Sequence, residues 1–420
     1  MAQNSLNINL NSEIGKLKGV ILHTPGAEVQ NMTPENAERA LYSDILNLHV
    51  AQQEYSQFSN VLEKITTTYQ VRNLLEDILQ NSRVRENLIE KICKNEGVEI
   101  QRMFMDELNN SELASQFIEG VLLRKDNLTG FLSKKRYMLK PLHNFFFTRD
   151  ASIAINDKVL ISKMANKVRV RESIIMQAIF DFHPAFSTTT VNPCEEKLFD
   201  PSITIEGGDV LIAREDVLVI GIGSRTTSQG VDFILKRLRA QKEKMHIIVQ
   251  ELPHEPESFI HLDMVFTFLD KDKCMIYEPI ITRPNRYQTV LISVDNGNVK
   301  IQEQENILTA LKRLGIDLKP FACGGTSDPW SQQREQWHSG ANFLAFAPGK
   351  VIGYERNIYT VDELSKGGFE ILRAKDVING KKNPDDYETC VITIEGSELS
   401  RGGGGARCMT MPICREDVAW

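Results

Sequence analysis

The sequence predicts an α/β protein: a pseudo-symmetric propeller of strand pairs and connecting helices, interrupted by one helical insertion. The main observation is a repeated design. An alternating apolar run, a tight polar turn, a second apolar run and a polar loop together mark a hairpin of strands. It recurs in SIAINDKVLISK (152–163), DVLIAREDVLVIGIGSRT (209–226), MVFTFLDKDKCMIYEP (264–279) and NFLAFAPGKVIGYERN (342–357). The spacing is too irregular for a solenoid but suits blades joined by connections of variable length. GKLKGVILHTPG near residue 20 and CVITIEGSELSRGGGG near the end resemble partial copies.

The second observation is helical patterning between these units. In SQGVDFILKRLRAQKEK (228–244), Phe233, Ile234 and Leu238 recur at near-helical spacing, as on a helix packed against strands. The third is a break in the rhythm. From Val71 to Lys135 the chain contains no proline and is helical in pattern almost throughout, with Leu74, Leu75, Ile78 and Leu79, then Leu88, Ile89 and Ile92. The expected organisation is a propeller over residues 1–70 and 136–420 with a helical insertion over 71–135.

Composition narrows the function. Of 420 residues, 41% are hydrophobic and 25% charged, which is globular. Forty-nine basic against 56 acidic side chains give a net charge of -7, which disfavours a nucleic-acid partner. The basic clusters Lys134, Lys135, Arg136 and Lys236, Arg237, Arg239 read accordingly as solvated helix faces. No apolar run approaches the roughly 18 to 20 residues of a membrane span, so no membrane partner is expected. The N-terminus lacks the basic and apolar regions of an export signal, so the cytoplasm is the expected compartment. Seven scattered cysteines without a CxxC pair argue against a disulfide framework and a structural zinc. No metal-ligand cluster stands out, and GIGSRT lacks the third glycine of a dinucleotide fingerprint. No cofactor and no metal are expected.

Four segments could carry chemistry. In RGGGGARC (401–408) four glycines allow a close, movable approach to a ligand, and Cys408 follows them beside Arg407, a setting in which a thiol becomes a nucleophile. The same letters also describe a mobile tail and a small buried thiol. In HLDMVF, a two-residue step along a strand puts His261 and Asp263 on one face, a proton shuttle beside a fixed charge. The alternative is a histidine at a strand entrance that merely satisfies a backbone group. In IEGGDV, Glu206 and Asp209 flank two glycines that let carboxylates face a cavity, or simply form a turn. In NFFFTRD (144–150), Phe145 to Phe147 read as core, with Arg149 and Asp150 at the edge of the next strand unit.

FTRD (147–150), EGGD (206–209), HLD (261–263) and RGGGGARCMTMP (401–412) stand in the order found in arginine deiminases, of the guanidino-group-modifying (pentein) superfamily, which the chain resembles from GKLKGVILHTPG to its last residues. The resemblance implies a five-bladed α/β propeller with a helical insertion. It also implies hydrolysis of free L-arginine to L-citrulline and ammonia in arginine catabolism, by a homo-oligomer needing no cofactor. Cys408 would attack the guanidinium carbon and form an amidino-cysteine. Asp150 and Asp263 would grip the cation, and His261, oriented by Glu206, would carry protons. Asn144, Arg169 and Arg225 would surround the amino acid end, the two arginines holding its carboxylate; Arg169, in the basic stretch KVRVRES, also reads as a surface residue. For Arg225 there is local support: GSRTTSQG precedes a predicted helix, where an anion is favoured. Some relatives carry an arginine in the glycine-rich loop where this chain has Gly403. Closure would then fall to Arg401, counted here with the substrate-binding residues, to Arg407, or to backbone contacts. Carboxylates around Cys408 should raise its pKa in the empty site.

Overall fold

The structure, a computed structural model, describes residues 6–34, 42, 44–98, 107–241 and 244–420. Its fold is α/β. All four hairpins read from the sequence are present: Ser152–Ile155 with Lys158–Ile161, Val210–Arg214 with Val217–Ile222, Phe266–Asp270 with Lys273–Ile276, and Leu344–Ala347 with Lys350–Tyr354. Each second strand gains a parallel third strand: Thr189–Val191, Met245–Glu251, Lys319–Ala322 and Cys390–Ile394 respectively. The fifth such sheet joins the two ends of the chain. Met411–Arg415 runs antiparallel to Leu17–Leu22, and Thr67–Gln70 lies parallel on its other side. Among the described residues, five sheets therefore share one motif.

Turn chemistry fixes the register. Asn156, at φ 53°, sits in the two-residue turn between Ile155 and Lys158. Tight hairpins need left-handed residues there, and asparagine tolerates that conformation. The CVITIEG segment is a correction: Cys390–Ile394 opens no hairpin but lies parallel to strands on both sides. All five of its residues are buried, the continuous apolar run of a covered parallel strand.

The 71–135 segment contains helices Val71–Ile78, Ser82–Glu96, Asn110–Glu119 and Leu128–Leu132; residues 99–106 lie outside the described residues. It is not helical throughout, because Val121–Leu122 pairs with Tyr137–Leu139. Asn109 and Glu112 form a reciprocal capping box that fixes where the third helix starts. Leu74, Leu75, Ile78, Leu88, Ile89 and Ile92 are buried in one cluster with Ile175 and Ile179 of helix Val170–Phe182 and with Ile153 and Leu160 of the adjacent sheet. The helix read at 228–244 spans Ser228–Gln241; 242–243 are outside the described residues. Lys236, Arg237 and Arg239 lie on it, whereas Lys134 to Arg136 lie in a loop before Tyr137, which corrects the reading of that cluster as a helix face.

The fold also brings five short segments together. At most two residues separate each from the leading strand of one sheet: Arg149–Asp150, Glu206–Asp209, His261–Met264, Asn342 and Arg407–Cys408. Hydrogen bonds link them in a ring. Arg149 N donates to Cys408 O (3.1 Å) and Gly207 N to Asp150 O (3.2 Å). Leu262 N donates to Asp209 Oδ1 (2.9 Å), Asn342 Nδ2 to Asp263 O (3.1 Å), and Arg407 N to Asn342 Oδ1 (2.9 Å).

Candidate active site

The strand ends position the site through tight local turns. His261 and Asp263 are not on a strand as expected; residues 262–264 form a 3-10 turn, with His261 extended just before it. The turn still buries both side chains toward the same centre. Gly207–Asp209 forms a second 3-10 turn, and here glycine is required by contact. A Cβ on Gly208 would lie 2.4 Å from His261 Nδ1, so the bare backbone is what the imidazole packs against.

Seven of the nine residues singled out from the sequence line one narrow cavity of about 60 Å³: Asn144, Asp150, Arg169, Arg225, His261, Arg401 and Cys408. Glu206 and Asp263 stand behind it, fully buried. Phe147, Met264 and Trp337 supply apolar wall, and residues 400–404 close one side.

Cys408 Sγ lies 3.7 Å from Asp263 Oδ2 and accepts a contact from Asn342 Nδ2 at 3.1 Å. Burial drives the thiol pKa well above its ordinary value, and the charges of Asp263 and Asp150 push it the same way. Arg407 does not make the setting electropositive. Its guanidinium turns away, donating to Asp263 Oδ2 (2.8 Å), to Glu13 Oε1 and Oε2 (3.0 and 3.1 Å) and to Val210 O (2.8 Å). The carboxyl of Glu13, which burial alone would raise, is held down to about 2 chiefly by Arg407.

His261 donates from Nε2 to Glu206 Oε2 at 3.0 Å, and its Nδ1 is 3.6 Å from Asp150 Oδ1. Burial alone would lower the imidazole pKa. Asp150, the hydrogen bond to Glu206 and the charge of Asp209 outweigh it and raise the pKa to about 9. Glu206 also accepts from Ala165 N (2.9 Å) and faces Arg225 Nη1 at 3.7 Å. Burial would raise its carboxyl, but the bond to His261 and the Arg225 charge bring it below the usual range.

Arg169 is buried rather than on the surface. It donates to Asp150 Oδ2 (2.6 Å), to both oxygens of Glu172 and to the carbonyls of Asn144 and Phe147. It thereby fixes Asp150 with one oxygen engaged and the other, Oδ1, without a hydrogen bond beside the cavity. Arg225 also borders the cavity, and its Nη1 has no hydrogen-bond partner. Arg401 is 40% exposed and pairs with Asp44 and, at 3.3 Å, with Glu398. Gly403 follows it at φ 80°, a conformation that favours glycine.

Asn342 escaped the sequence reading. Its Oδ1 accepts from the amides of Arg407 and Cys408 (2.9 and 3.2 Å) while its Nδ2 touches the sulfur, so it holds the cysteine turn from two sides. Its position at the entrance of the 342–357 unit, matching the segments that enter the other hairpins, is the signal that could have found it. Arg149 was seen only as an edge residue. It braces the same turn from behind, through Arg407 O and Thr410 Oγ1 at 3.2 Å each.

A nucleophilic sulfur, a charged imidazole and a carboxylate oxygen without a hydrogen bond around a narrow slot suit covalent chemistry on a small, flat cation. The model of the arginine deiminase family matches residues 38–415. The chain is 32% identical to the arginine deiminase of Oenococcus oeni, over 98% of both chains. It is 33% identical to that of Bacillus cereus, over 98% of this chain and 99% of the relative. Among solved structures, the amidinotransferase SxtG of Microseira wollei shares the fold, with a TM-score of 0.52, 14% identity and 98% coverage of each chain. The chain belongs to the arginine deiminase family.

Proposed function

We propose that this protein hydrolyses free L-arginine to L-citrulline and ammonia through an amidino-cysteine intermediate. The observation that carries the reading is the unbonded Asp150 Oδ1 in a cavity shared with Cys408, with Asp263 3.7 Å from the sulfur. The substrate guanidinium donates to Asp150, and with Asp263 behind the sulfur its charge is enclosed between two carboxylates. A cation beside Cys408 lowers the thiol pKa, so the substrate promotes formation of its own thiolate, the proton passing to water.

The thiolate attacks the guanidinium carbon. His261, already an imidazolium, gives its proton to the departing nitrogen; ammonia leaves as the C–N bond breaks, and the carbon remains bound to sulfur. Neutral His261 then takes a proton from water, whose oxygen attacks the same carbon. The C–S bond breaks as the hydroxyl proton of the adduct passes to water, releasing citrulline and the thiolate. Glu206 keeps the ring oriented throughout. Arg225, at the cavity wall with Nη1 unbonded, takes the substrate carboxylate together with Asn144. Arg169, occupied by Asp150 and Glu172, reaches that carboxylate only by yielding one of these partners.

A cavity of about 60 Å³ has room for a few waters and not for a whole arginine. Entry therefore requires the 400–404 segment to move, with the Arg401 pairs to Asp44 and Glu398 as its latch. The same reading closes the five sheets into a five-bladed propeller over 1–70 and 136–420 with 71–135 inserted, which the ring of hydrogen bonds supports. It also takes the protein as a cytoplasmic homo-oligomer of arginine catabolism. Seven free cysteines accord with a reducing compartment, and exposed Leu128, Phe131 and Leu132 offer apolar surface for self-association.

The test is incubation of the purified protein with L-arginine or agmatine, measuring citrulline and ammonia, with Cys408→Ala as control. Equal amounts of citrulline and ammonia from arginine alone, lost in Cys408→Ala, are expected. Binding of arginine without citrulline overturns the proposal.

A further inference from the structure

Outside the catalytic cavity, positive charge gathers in a concave place between the helical segment and the start of helix Val170–Phe182. A cleft of about 630 Å³ is bordered by Lys134, Lys135, Arg136, Lys140, Lys167 and Arg171. Glu96 is the one acidic side chain among the described residues lining it. Among the described residues, six cations and one acid line this cleft in a chain of net charge -7.

Surface lysines alone would not make a site, but Arg171 is built into the wall. It is 1% exposed, its Nη2 donates to the carbonyl of Lys140, and its Nε and Nη1 make no hydrogen bond. The Glu96 carboxylate stands 3.6 Å from Nη1, too far for one. A buried guanidinium with two unused donor nitrogens is costly unless an acceptor completes it. In keeping with this, burial depresses its pKa to about 10, with Glu96 opposing. We propose that this cleft binds a small phosphate-bearing anion, which completes the guanidinium of Arg171 and is enclosed by Lys134, Lys135 and Lys167. Guanidinium groups match phosphate oxygens in fork geometry, and the volume lies in the range of small-ligand pockets. The concave shape and the net acidity of the chain favour a small anion over a polynucleotide.

The cleft meets the catalytic cavity at Asn144, which lines both, so the test distinguishes the two by competition with arginine. Inorganic pyrophosphate is titrated by calorimetry into the full-length protein, into Arg171→Gln and into the exposed double variant Lys134→Gln/Lys135→Gln. Thermal melts establish that each variant is folded, and the double variant serves alone should Arg171→Gln not fold. Saturable binding is expected, weakened at least about tenfold by loss of Arg171, as for a charge-assisted hydrogen bond, and about threefold or more in the double variant. Binding should persist in Cys408→Ala saturated with arginine. No binding, equal affinity in the double variant, or displacement by arginine overturns the proposal. Displacement would put the anion in the catalytic cavity.

Discussion

Replacing Glu206 by Gln removes a negative charge from His261 while keeping an oxygen that can accept from Nε2 at the observed 3.0 Å. In the native site the imidazole pKa rises from 6.5 to about 9 despite burial. That is about 3 kcal/mol in favour of the charged ring. Asp150, at 3.6 Å from Nδ1, supplies one part and the bond to Glu206 another. A hydrogen bond to a carboxylate exceeds one to an amide by about 1 to 1.5 kcal/mol, so the variant should titrate near about 8. The assay is citrulline release as kcat/KM against pH. Its alkaline limb, which marks loss of the imidazolium proton, should fall near 9 in the native enzyme and move down by about one pH unit in Glu206→Gln. Stability follows with a defined sign. Because the folded pKa lies above 6.5, the contribution of His261 is full below that pH and disappears as pH rises through about 9. The urea midpoint of the native protein should therefore decline across this window more steeply than that of the variant. An alkaline limb that stays in place, or moves upward, would refute the assignment of Glu206 as the group that keeps His261 charged.

Cys408 in the empty site should react slowly with iodoacetamide at pH 7, because a thiol raised well above its ordinary value leaves under about 1% thiolate. An unreactive guanidinium ligand small enough to leave the sulfur open should speed the labelling, as mass spectrometry of the modified peptide can follow. Gly208→Ala forces a methyl into the imidazole, and kcat should fall about 100-fold, the cost of a displacement near 1 Å. Steady-state kinetics should show KM changing far less. Asn342→Ala strips acceptors from two buried amides of the cysteine turn, and each orphaned group costs about 1 to 3 kcal/mol. A lower melting temperature together with a depressed kcat is expected, and a stable, fully active variant would remove Asn342 from the site.

The strand units were legible because a hairpin writes its period locally: alternation, a polar turn and alternation again fall within about fifteen residues. Cys390–Ile394 was misread for the converse reason. A strand covered on both faces loses alternation, and its parallel partners lie about 20 and 40 residues away in the chain, where no local pattern can reveal them. His261 and Asp263 were found for chemistry that survives a wrong backbone, since a 3-10 turn buries both side chains as effectively as the strand face expected of them. The role of Arg407 could not be read at all. Whether a guanidinium beside a cysteine activates it depends on where the charge points, and here Glu13, nearly 400 residues earlier, draws it away. Arg169 carries the same lesson, because its neighbours Lys167 and Arg171 suggest an exposed basic stretch while Asp150 and Glu172 hold it in the interior.

Asn342 links fold and chemistry most directly. Four sheets place an acid, a histidine or the cysteine at the entrance of the leading strand, and the fifth places a neutral amide there. Neutrality has a physical reason at that position. Asn342 must accept from two backbone amides and also donate toward sulfur, which a carboxylate could not do while ionised. A further negative charge 3.1 Å from Cys408 would also raise a thiol pKa that burial, Asp263 and Asp150 already hold high. Asn342→Asp separates these demands more sharply than truncation. It keeps the acceptor oxygen and the size of the side chain, so the turn should remain ordered. The substrate cation would then have three carboxylates to offset instead of two, and the pH at which the thiolate forms in the complex should rise. The acid limb of the kcat profile should move upward, and the melting temperature should fall, because the variant loses the donor to Asp263 O and buries a charge. An unchanged acid limb would mean that the thiolate does not depend on the charge balance around Asn342.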